Sequence, residues 1–302
     1  MQITRLKEVP DKNKNIPVKV SEMGNIIEIQ YMTKRNTKQT IQMQSGGKEF
    51  VICSTGEIKE VNHGTTRKDN KKGLYKTFAN IRGIINANIT ETDSNKVRWC
   101  TLTYRENMTD TKRLYSDFVN FNKRFCYYCT RNNLGKTEYL ALAEPQQRGA
   151  WHFHVLFIFE TSAPYISNQV LYELWGHGFV QIRSLNNVDN VGAYLSAYLT
   201  DLELSECSVL DIKEKSVIKD CGASKAVIKG ARLNLYPVGF QIMRHSRGIK
   251  KPTHSIVSQE VAESKIQNAV KTFERAYKLT DNKTGFESII IKEQFNKQRF
   301  AK

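Results

Sequence analysis

The composition of the chain is that of a basic protein large enough to bury a full core. Its 302 residues include 46 Lys and Arg against 30 Asp and Glu, which gives a formal charge of +16 and a pI near 9.5. A protein this basic usually binds a polyanion, and nucleic acid is the first candidate. No run of about 18 apolar residues occurs and the N-terminal residues lack the apolar core of a signal peptide, so we expect no membrane segment and a cytoplasmic location.

The cysteine spacing argues against a zinc ribbon, and the absence of a phosphate-binding motif argues against an ATP-driven motor. The six cysteines are scattered, so reduced thiols are expected. Only Cys126 and Cys129 are close together, and a zinc ribbon would need a second such pair. The chain has no G-x-x-x-x-G-K-[ST] sequence, which argues against ATP as a cofactor.

Residues 1–95 mix short strand-like runs with Lys- and Asn-rich connections. They predict a small, basic N-terminal region, a possible accessory for DNA binding. From Val97 the pattern becomes regular: VRWCTLTY predicts a strand, and the stretch from Asp110 to Gly135 has apolar residues at helical spacing. TEYLALAE and WHFHVLFIFE then predict two strands joined by the polar turn PQQRGA.

Further along, SNQVLYELWG predicts a short helix, FVQIRSL a strand, and NVGAYLSAYLTDL a last helix capped by Asp189. This order predicts an α+β fold, with a ferredoxin/RRM-like antiparallel sheet and helices on one face, over residues 96–205. Residues 206–302 are expected to form a C-terminal extension that contains an amphipathic helix in SIVSQEVAESKIQNAVKTFERAYKL.

Two histidines one residue apart interrupt the apolar strand WHFHVLFIFE. Because side chains alternate along a strand, His152 and His154 share one face, and Trp151, Phe153 and Phe157 share the other. The aromatic face is expected to pack against the helices and the histidine face to be open. Two imidazoles about 6.6 Å apart along the strand can converge on one metal ion.

Glu144 ends the preceding strand and offers a third ligand. It shares the histidine face if the register places it opposite His152 in an antiparallel pair, which the sequence leaves open. Gln146 and Gln147 in the turn are the alternative ligands. A binuclear zinc hydrolase would need Asp at position 156, which is Leu, and an amidohydrolase barrel would need its H-x-H near the start of an eightfold repeat.

The last predicted helix places Tyr194 and Tyr198 four residues apart, on one helical face. For an arbitrary helix this pattern is most often core packing. A phenol with a pKa near 10 attacks phosphorus slowly unless the phosphate is activated, and a divalent ion provides such activation. Transesterification to tyrosine conserves the phosphodiester energy, which agrees with a chain that lacks an ATP motif.

Three segments together carry a family resemblance: WCTLTY, HFH with its apolar neighbours, and YLSAYLT. They resemble, in order, the three motifs of rolling-circle replication initiators of the His-hydrophobe-His (HUH) endonuclease superfamily. The two-tyrosine group of small single-stranded DNA phages and related plasmid or integrated elements is the most similar. ELWGHGFVQIRSL and, more faintly, MRHSRGIKKP also resemble that group.

The resemblance implies Mg²⁺ or Mn²⁺ held by His152, His154 and Glu144, with Tyr194 and Tyr198 as the catalytic nucleophiles. It implies sequence-specific nicking and joining of origin DNA through a 5′-phosphotyrosine link and a free 3′-OH primer for rolling-circle replication, with a host helicase and polymerase as partners. The family often has a lysine just before the second tyrosine and another shortly after, where this chain has Ala197 and Asp201.

Three alternatives remain open at this stage. A mobilisation relaxase and a single-strand transposase use the same chemistry. A non-enzymatic nucleic-acid-binding protein would use exposed aromatic side chains of a ferredoxin-like sheet to stack bases.

Overall fold

A computed structural model describes most of the chain as two compact units. The described residues are 2–35, 41–53, 55–61, 71–146, 148–185, 191–192, 202–203, 218–220, 226–228, 235–282 and 284–299. One unit comprises Met1–Gly64 with Thr253–Lys302, and the other Thr65–Pro252. This division differs from the three consecutive regions expected from the sequence.

The described residues form strands and helices in the following order. The strands are β1 (Gln2–Arg5), β2 (Val18–Met23), β3 (Ile26–Met32), β4 (Ile41–Met43), β5 (Glu49–Ile52), β6 (Ile58–Glu60), β7 (Val97–Thr103), β8 (Thr137–Pro145), β9 (Trp151–Phe159), β10 (Val180–Ser184), β11 (Leu202–Glu203), β12 (Ile218–Asp220), β13 (Ala226–Ile228), β14 (Met243–His245), β15 (Thr253–Val257), β16 (Val270–Asp281) and β17 (Phe286–Asn296). The α-helices are α1 (Lys71–Asn88), α2 (Thr111–Arg131), α3 (Asn168–Trp175) and α4 (Gln259–Lys265), and Glu91–Lys96 is a 3₁₀ helix.

The central sheet of the Thr65–Pro252 unit has the order β10-β7-β9-β8-β14, and all of its pairs are antiparallel. Four of these strands and the helices α2 and α3 follow one another along the chain in the order β7-α2-β8-β9-α3-β10. The spatial order of those strands is therefore fourth, first, third, second, with β14 added beside β8. This is the β-α-β-β-α-β arrangement of a ferredoxin-like fold, so the predicted α+β class is confirmed.

Helix α2 covers the aromatic face of this sheet. Asp110 caps the helix by accepting from the backbone amides of Lys112 and Arg113. One stripe of the helix is buried: Leu114, Phe118, Phe121, Phe125 and Cys129. The Phe125 ring stacks on Phe157 with centroids 3.9 Å apart, and Phe118 lies 4.9 Å from Phe153. Each such buried aromatic ring contributes about 1.5–3 kcal/mol to folding, so this layer orients β9.

Helix α1 has no counterpart in the elements predicted from the sequence. Its apolar residues Ile81, Ile84 and Ile85 belong to the same core as α2 and the sheet. Asn88, at its last turn, lines a cavity together with Glu138 and Ile158, which lie on the histidine face. The helix therefore ends beside the sheet face opposite α2, a face that we expected to be open.

The other unit is built on a six-stranded antiparallel sheet with the order β1-β16-β17-β3-β2-β15. Its small core includes Val20, Ile27, Tyr31, Ile291 and Phe295. The amphipathic helix predicted across residues 255–279 is wrong over most of that stretch, because only Gln259–Lys265 is helical. The segment from Val270 instead pairs along the whole of β17, which supplies a cross-strand partner that the local pattern does not reveal.

Two small three-stranded sheets complete the described structure, with the orders β4-β5-β6 and β11-β13-β12. Leu202, expected at the end of the last predicted helix, lies in β11. Within the described ranges, no helix is both long and apolar enough to cross a membrane.

Candidate metal centre

The hairpin of β8 and β9 places Glu144 directly opposite His152. Its turn is closed by the Gln146 amide donating to the Ala150 carbonyl at 2.7 Å, and by the Gly149 amide donating to the Gln146 carbonyl at 2.8 Å. The register that the sequence left open is thereby settled. Glu144 and the two histidines lie on the same face at one end of the sheet.

The polar atoms of these three side chains converge on one point. The Nε2 atoms of His152 and His154 are 3.1 Å apart, and Glu144 Oε2 lies 3.0 Å from His152 Nε2. The same carboxylate oxygen also contacts His154 Nε2. All three ligand atoms lie within 4.8 Å of one another, as the donors of a single metal ion must.

The cluster is largely enclosed, which corrects the expectation of an open face. The side chain of Glu144 is 3 % exposed, and each histidine side chain is 12 % exposed. Leu156, which follows on the same face of β9, is fully buried. Burial alone raises the pKa of Glu144, but the two imidazoles outweigh it and hold the pKa of that carboxyl well below its usual range.

Thr101 supports the cluster from the neighbouring strand. It lies opposite His154 in the pairing of β7 with β9, and its Oγ1 is 3.3 Å from His154 Nδ1. A hydroxyl at that distance can accept from Nδ1–H, and in that arrangement it favours the tautomer whose free lone pair is on Nε2, toward Glu144. Sequence reasoning missed Thr101, and the signal was available: it occupies the alternate position of WCTLTY that shares the histidine face.

The end of β7 is anchored on the other face of the sheet. Trp175 Nε1 donates to the Thr103 carbonyl at 3.0 Å, and the buried hydroxyl of Tyr104 donates to Asp117 Oδ2 at 3.0 Å. Burial and the Asp117 carboxylate raise the pKa of Tyr104. Tyr104 therefore stays protonated and acts as a structural donor.

The remaining predicted site residues fall in different places. Gln146 accepts from Arg148 Nε at 3.1 Å through its side-chain oxygen, and Gln147 lies outside the described residues. Tyr194 and Tyr198 also lie outside the described residues. Their placement relative to the cluster stays a prediction.

The segment leading to the tyrosines is described at two positions. Val191 and Gly192 are helical, as predicted, and Val191 is buried in the core. The Gly192 amide donates to Asn86 Oδ1 at 2.8 Å. A Cβ at position 192 would lie 2.5 Å from the Arg82 carbonyl oxygen, so only glycine allows this approach to α1.

Comparison with known proteins adds one finding. Residues 97–203 match the family model of the replication-associated protein ORF2. The matched segment contains β7 to β10 and all three members of the cluster. No curated protein shows significant sequence similarity to the chain. The match supports a role in the initiation of replication.

Proposed function

We propose that this protein initiates rolling-circle DNA replication by nicking and rejoining one strand at an origin, with residues 96–205 as its HUH endonuclease domain of the two-tyrosine type. The observation that carries the proposal is the convergence of Glu144, His152 and His154 on one sheet face, inside the segment that matches the replication-associated family. A buried carboxylate needs a compensating positive charge, and a divalent cation held jointly with the two imidazoles would supply one.

The chemistry of the donor set fits Mg²⁺ or Mn²⁺. A carboxylate oxygen suits Mg²⁺ and Mn²⁺, and two imidazole nitrogens beside it favour the transition-metal ion of that pair. Glu144, His152 and His154 would hold the ion, and Thr101 would keep His154 in the ligating tautomer. When bound, such an ion polarises a phosphate through a non-bridging oxygen and stabilises the charge that develops there.

The nucleophile in this proposal is the phenol of Tyr194 or Tyr198. Its oxygen forms a bond to phosphorus while the bond from phosphorus to the 3′ oxygen breaks. The phenol proton leaves to solvent, and the departing 3′ oxygen takes up a proton to become a 3′-OH. The 5′ phosphate then remains on tyrosine, and reversal of the step rejoins the strand without ATP.

The partners follow from this chemistry and from the charge of the chain. Origin DNA is the substrate, single-stranded at the nick and duplex in its flanks. Arg247, Lys250 and Lys251 are exposed, in the loop after β14, and would contact backbone phosphates. Because the sequence has no ATP-binding loop, strand separation and synthesis would rest on a host helicase and polymerase in the cytoplasm.

The non-enzymatic alternative accounts less well for the site. The aromatic side chains of β9 are buried against α2, so this strand offers no ring on which bases could stack. A buried Glu-His-His cluster has no part in stacking. A mobilisation relaxase and a single-strand transposase remain the alternatives with the same chemistry.

A test of the chemistry uses the full-length chain, Mn²⁺ and a random-sequence pool of single-stranded oligonucleotides. We expect a covalent protein–DNA adduct that survives denaturing electrophoresis. The variants His152→Ala and His154→Ala should form none, whereas the control His254→Ala, an exposed histidine of the other unit, should match the wild type. Adduct formation by the histidine double variant in the presence of a chelator would refute the proposal.

A further inference from the structure

An exposed aromatic side chain lies in the same row of the sheet as the Glu-His-His cluster. Phe179 directly precedes β10 and is 67 % exposed. Its carbonyl accepts from the Thr103 amide at 2.8 Å, so it extends the pairing of β10 with β7 by one residue. It belongs to GHGFVQIRSL, a stretch whose part in the nicking chemistry is otherwise undefined.

The register shows which way the Phe179 side chain points. The next pair, Val180 and Leu102, is buried at 4 % and 0 % exposure, and Leu102 pairs in turn with Phe153 on the aromatic face. Phe179 therefore lies on the opposite face, which carries the histidines. Thr103 is opposite both Phe179 and His152, so Phe179 is two strands from His152, about 10 Å at the usual strand spacing.

The backbone beneath Phe179 is tightly held. A Cβ at Gly178 would lie 2.5 Å from Thr103 O and 2.8 Å from the carbonyl carbon of Tyr104. Only glycine permits this approach, and the Thr103 carbonyl is itself anchored by Trp175 Nε1. The backbone that carries the ring is therefore rigid. This lowers the entropy cost of ordering that backbone when a ligand binds.

Two polar side chains lie on the same face as Phe179, at the alternate positions that follow it along β10. Gln181 is opposite Thr101 and Arg183 is opposite Trp99, so both alternate onto the histidine face. Arg183 is exposed, Gln181 is half-buried, and Val180–Ser184 contains no acidic residue. Among the described strands of its sheet, β10 is an outer one. An aromatic ring, an amide and a guanidinium thus line one exposed edge beside the cluster.

We propose that Phe179, Gln181 and Arg183 form a binding strip for single-stranded DNA, with a base stacked on Phe179 and a backbone phosphate on Arg183. A single exposed aromatic residue is ordinary on a protein surface. Phe179 differs because it is aligned across the sheet with Thr103 and His152, and because Arg183 lies on the same face of the same strand. Duplex bases have no free faces, whereas unpaired bases of any sequence stack on an aromatic ring. That this strand is the one to be nicked rests on the proposed function.

The geometry also limits which base stacks there. At a stacked rise of about 3.4 Å per nucleotide, a span of about 10 Å corresponds to no more than about three nucleotides from a phosphate at the cluster. The strip would thus hold the strand immediately beside the nick. It would act without reading base edges strongly, because the stacking face is common to all four bases.

The test measures DNA binding in chelator, where no nicking occurs. A fluorescein-labelled random-sequence single strand of about 20 nucleotides is titrated with the full-length chain and followed by anisotropy. Phe179→Ala should weaken binding by about 5- to 150-fold, and Phe179→Trp should restore it. Tyr127→Ala, which removes an equally exposed ring (67 %) from the outside of α2, is the matched control and should bind as the wild type does.

Two further readouts identify the roles of the strip residues. Arg183→Ala should reduce the slope of log affinity against log salt by about 0.7, while Phe179→Ala should leave the slope unchanged. A strand carrying 2-aminopurine should lose fluorescence on binding to the wild type, and the loss should be absent with Phe179→Ala. Circular dichroism and thermal melting verify that each variant is folded.

The outcomes separate this inference from the nicking proposal. Equal affinities for Phe179→Ala and Tyr127→Ala, or a Phe179→Trp variant as weak as the alanine variant, would overturn the strip whether or not the chain nicks DNA. If the wild type forms no covalent adduct but its binding still depends on Phe179, the nicking proposal fails and the strip stands.

Discussion

Replacing Glu144 with Gln tests the metal centre with the smallest change of shape. The carboxylate oxygen lies 3.0 Å from His152 Nε2 and also contacts His154 Nε2, in a site where Glu144 is 3 % exposed. Gln keeps the size and one oxygen donor but removes the negative charge, so the fold should persist while cation affinity falls. Loss of an outer-shell partner of a metal ligand costs about 10- to 100-fold in affinity, so loss of the ligand charge should cost at least about 100-fold.

This loss converts into a shift of melting temperature. At a Mn²⁺ concentration of about 100 times the wild-type Kd, binding stabilises the folded protein by about 2.7 kcal/mol, whereas a variant with 100-fold weaker affinity gains only about 0.4 kcal/mol. For a unit the size of Thr65–Pro252, 1 kcal/mol corresponds to roughly 2–4 °C. We therefore expect a Mn²⁺-induced shift of about 5–11 °C for the wild type and about 1–2 °C for Glu144→Gln.

Tryptophan fluorescence is the appropriate probe for the melting experiment. All three tryptophans, Trp99, Trp151 and Trp175, belong to the unit that contains the cluster, so melting of the other unit does not obscure the signal. Glu138→Gln, at the other end of β8, is the matched control and should keep the full shift. An unchanged shift with Glu144→Gln, or an equal loss with the control, would refute the assignment of Glu144 as a ligand.

Three further predictions concern Thr101, Gly178 and the two tyrosines. Thr101→Val should weaken Mn²⁺ binding by about 10- to 100-fold in calorimetric titration, because it removes the acceptor for His154, while Thr101→Ser should retain it; equal affinities of both variants would contradict this role. Gly178→Ala should lower the free energy of unfolding by about 1–3 kcal/mol in denaturant titration, since its Cβ overlaps the backbone of β7, and an unchanged value would contradict that contact. Tyr194→Phe and Tyr198→Phe should each retain some covalent adduct and only the double variant should lose it; peptide mass spectrometry that finds a single tyrosine modified, with the other variant fully active, would show a single-nucleophile enzyme.

Much of the ferredoxin-like sheet is predictable from short-range pattern. The alternation in Trp151–Phe159 and the helical spacing in Thr111–Arg131 each arise from the geometry of one element, so β9 and α2 agree with the sequence prediction. The N-cap Ser167 and the left-handed Gly176 likewise delimit α3 by local hydrogen bonding.

Where the prediction was wrong, longer-range partners decided the structure. The stretch from Val270 has apolar spacing compatible with a helix, but it becomes a strand because β17 can pair along its length. Helix α1 lies in a Lys- and Asn-rich region whose composition does not predict a helix, although Phe78, Ile81 and Ile85 follow a helical stripe.

The candidate site likewise combines features that follow from the local sequence pattern with features that only the tertiary structure decides. The sequence alone placed His152 and His154 on one strand face, because alternation along a strand is a local property, but it left open the register that decides whether Glu144 shares that face. Only the tertiary structure decided that Glu144 is opposite His152, that the cluster is enclosed, and that Thr101 and Phe179 share its face. These relations depend on register across four strands, which is set by the turn after Pro145 and by the packing of the whole sheet.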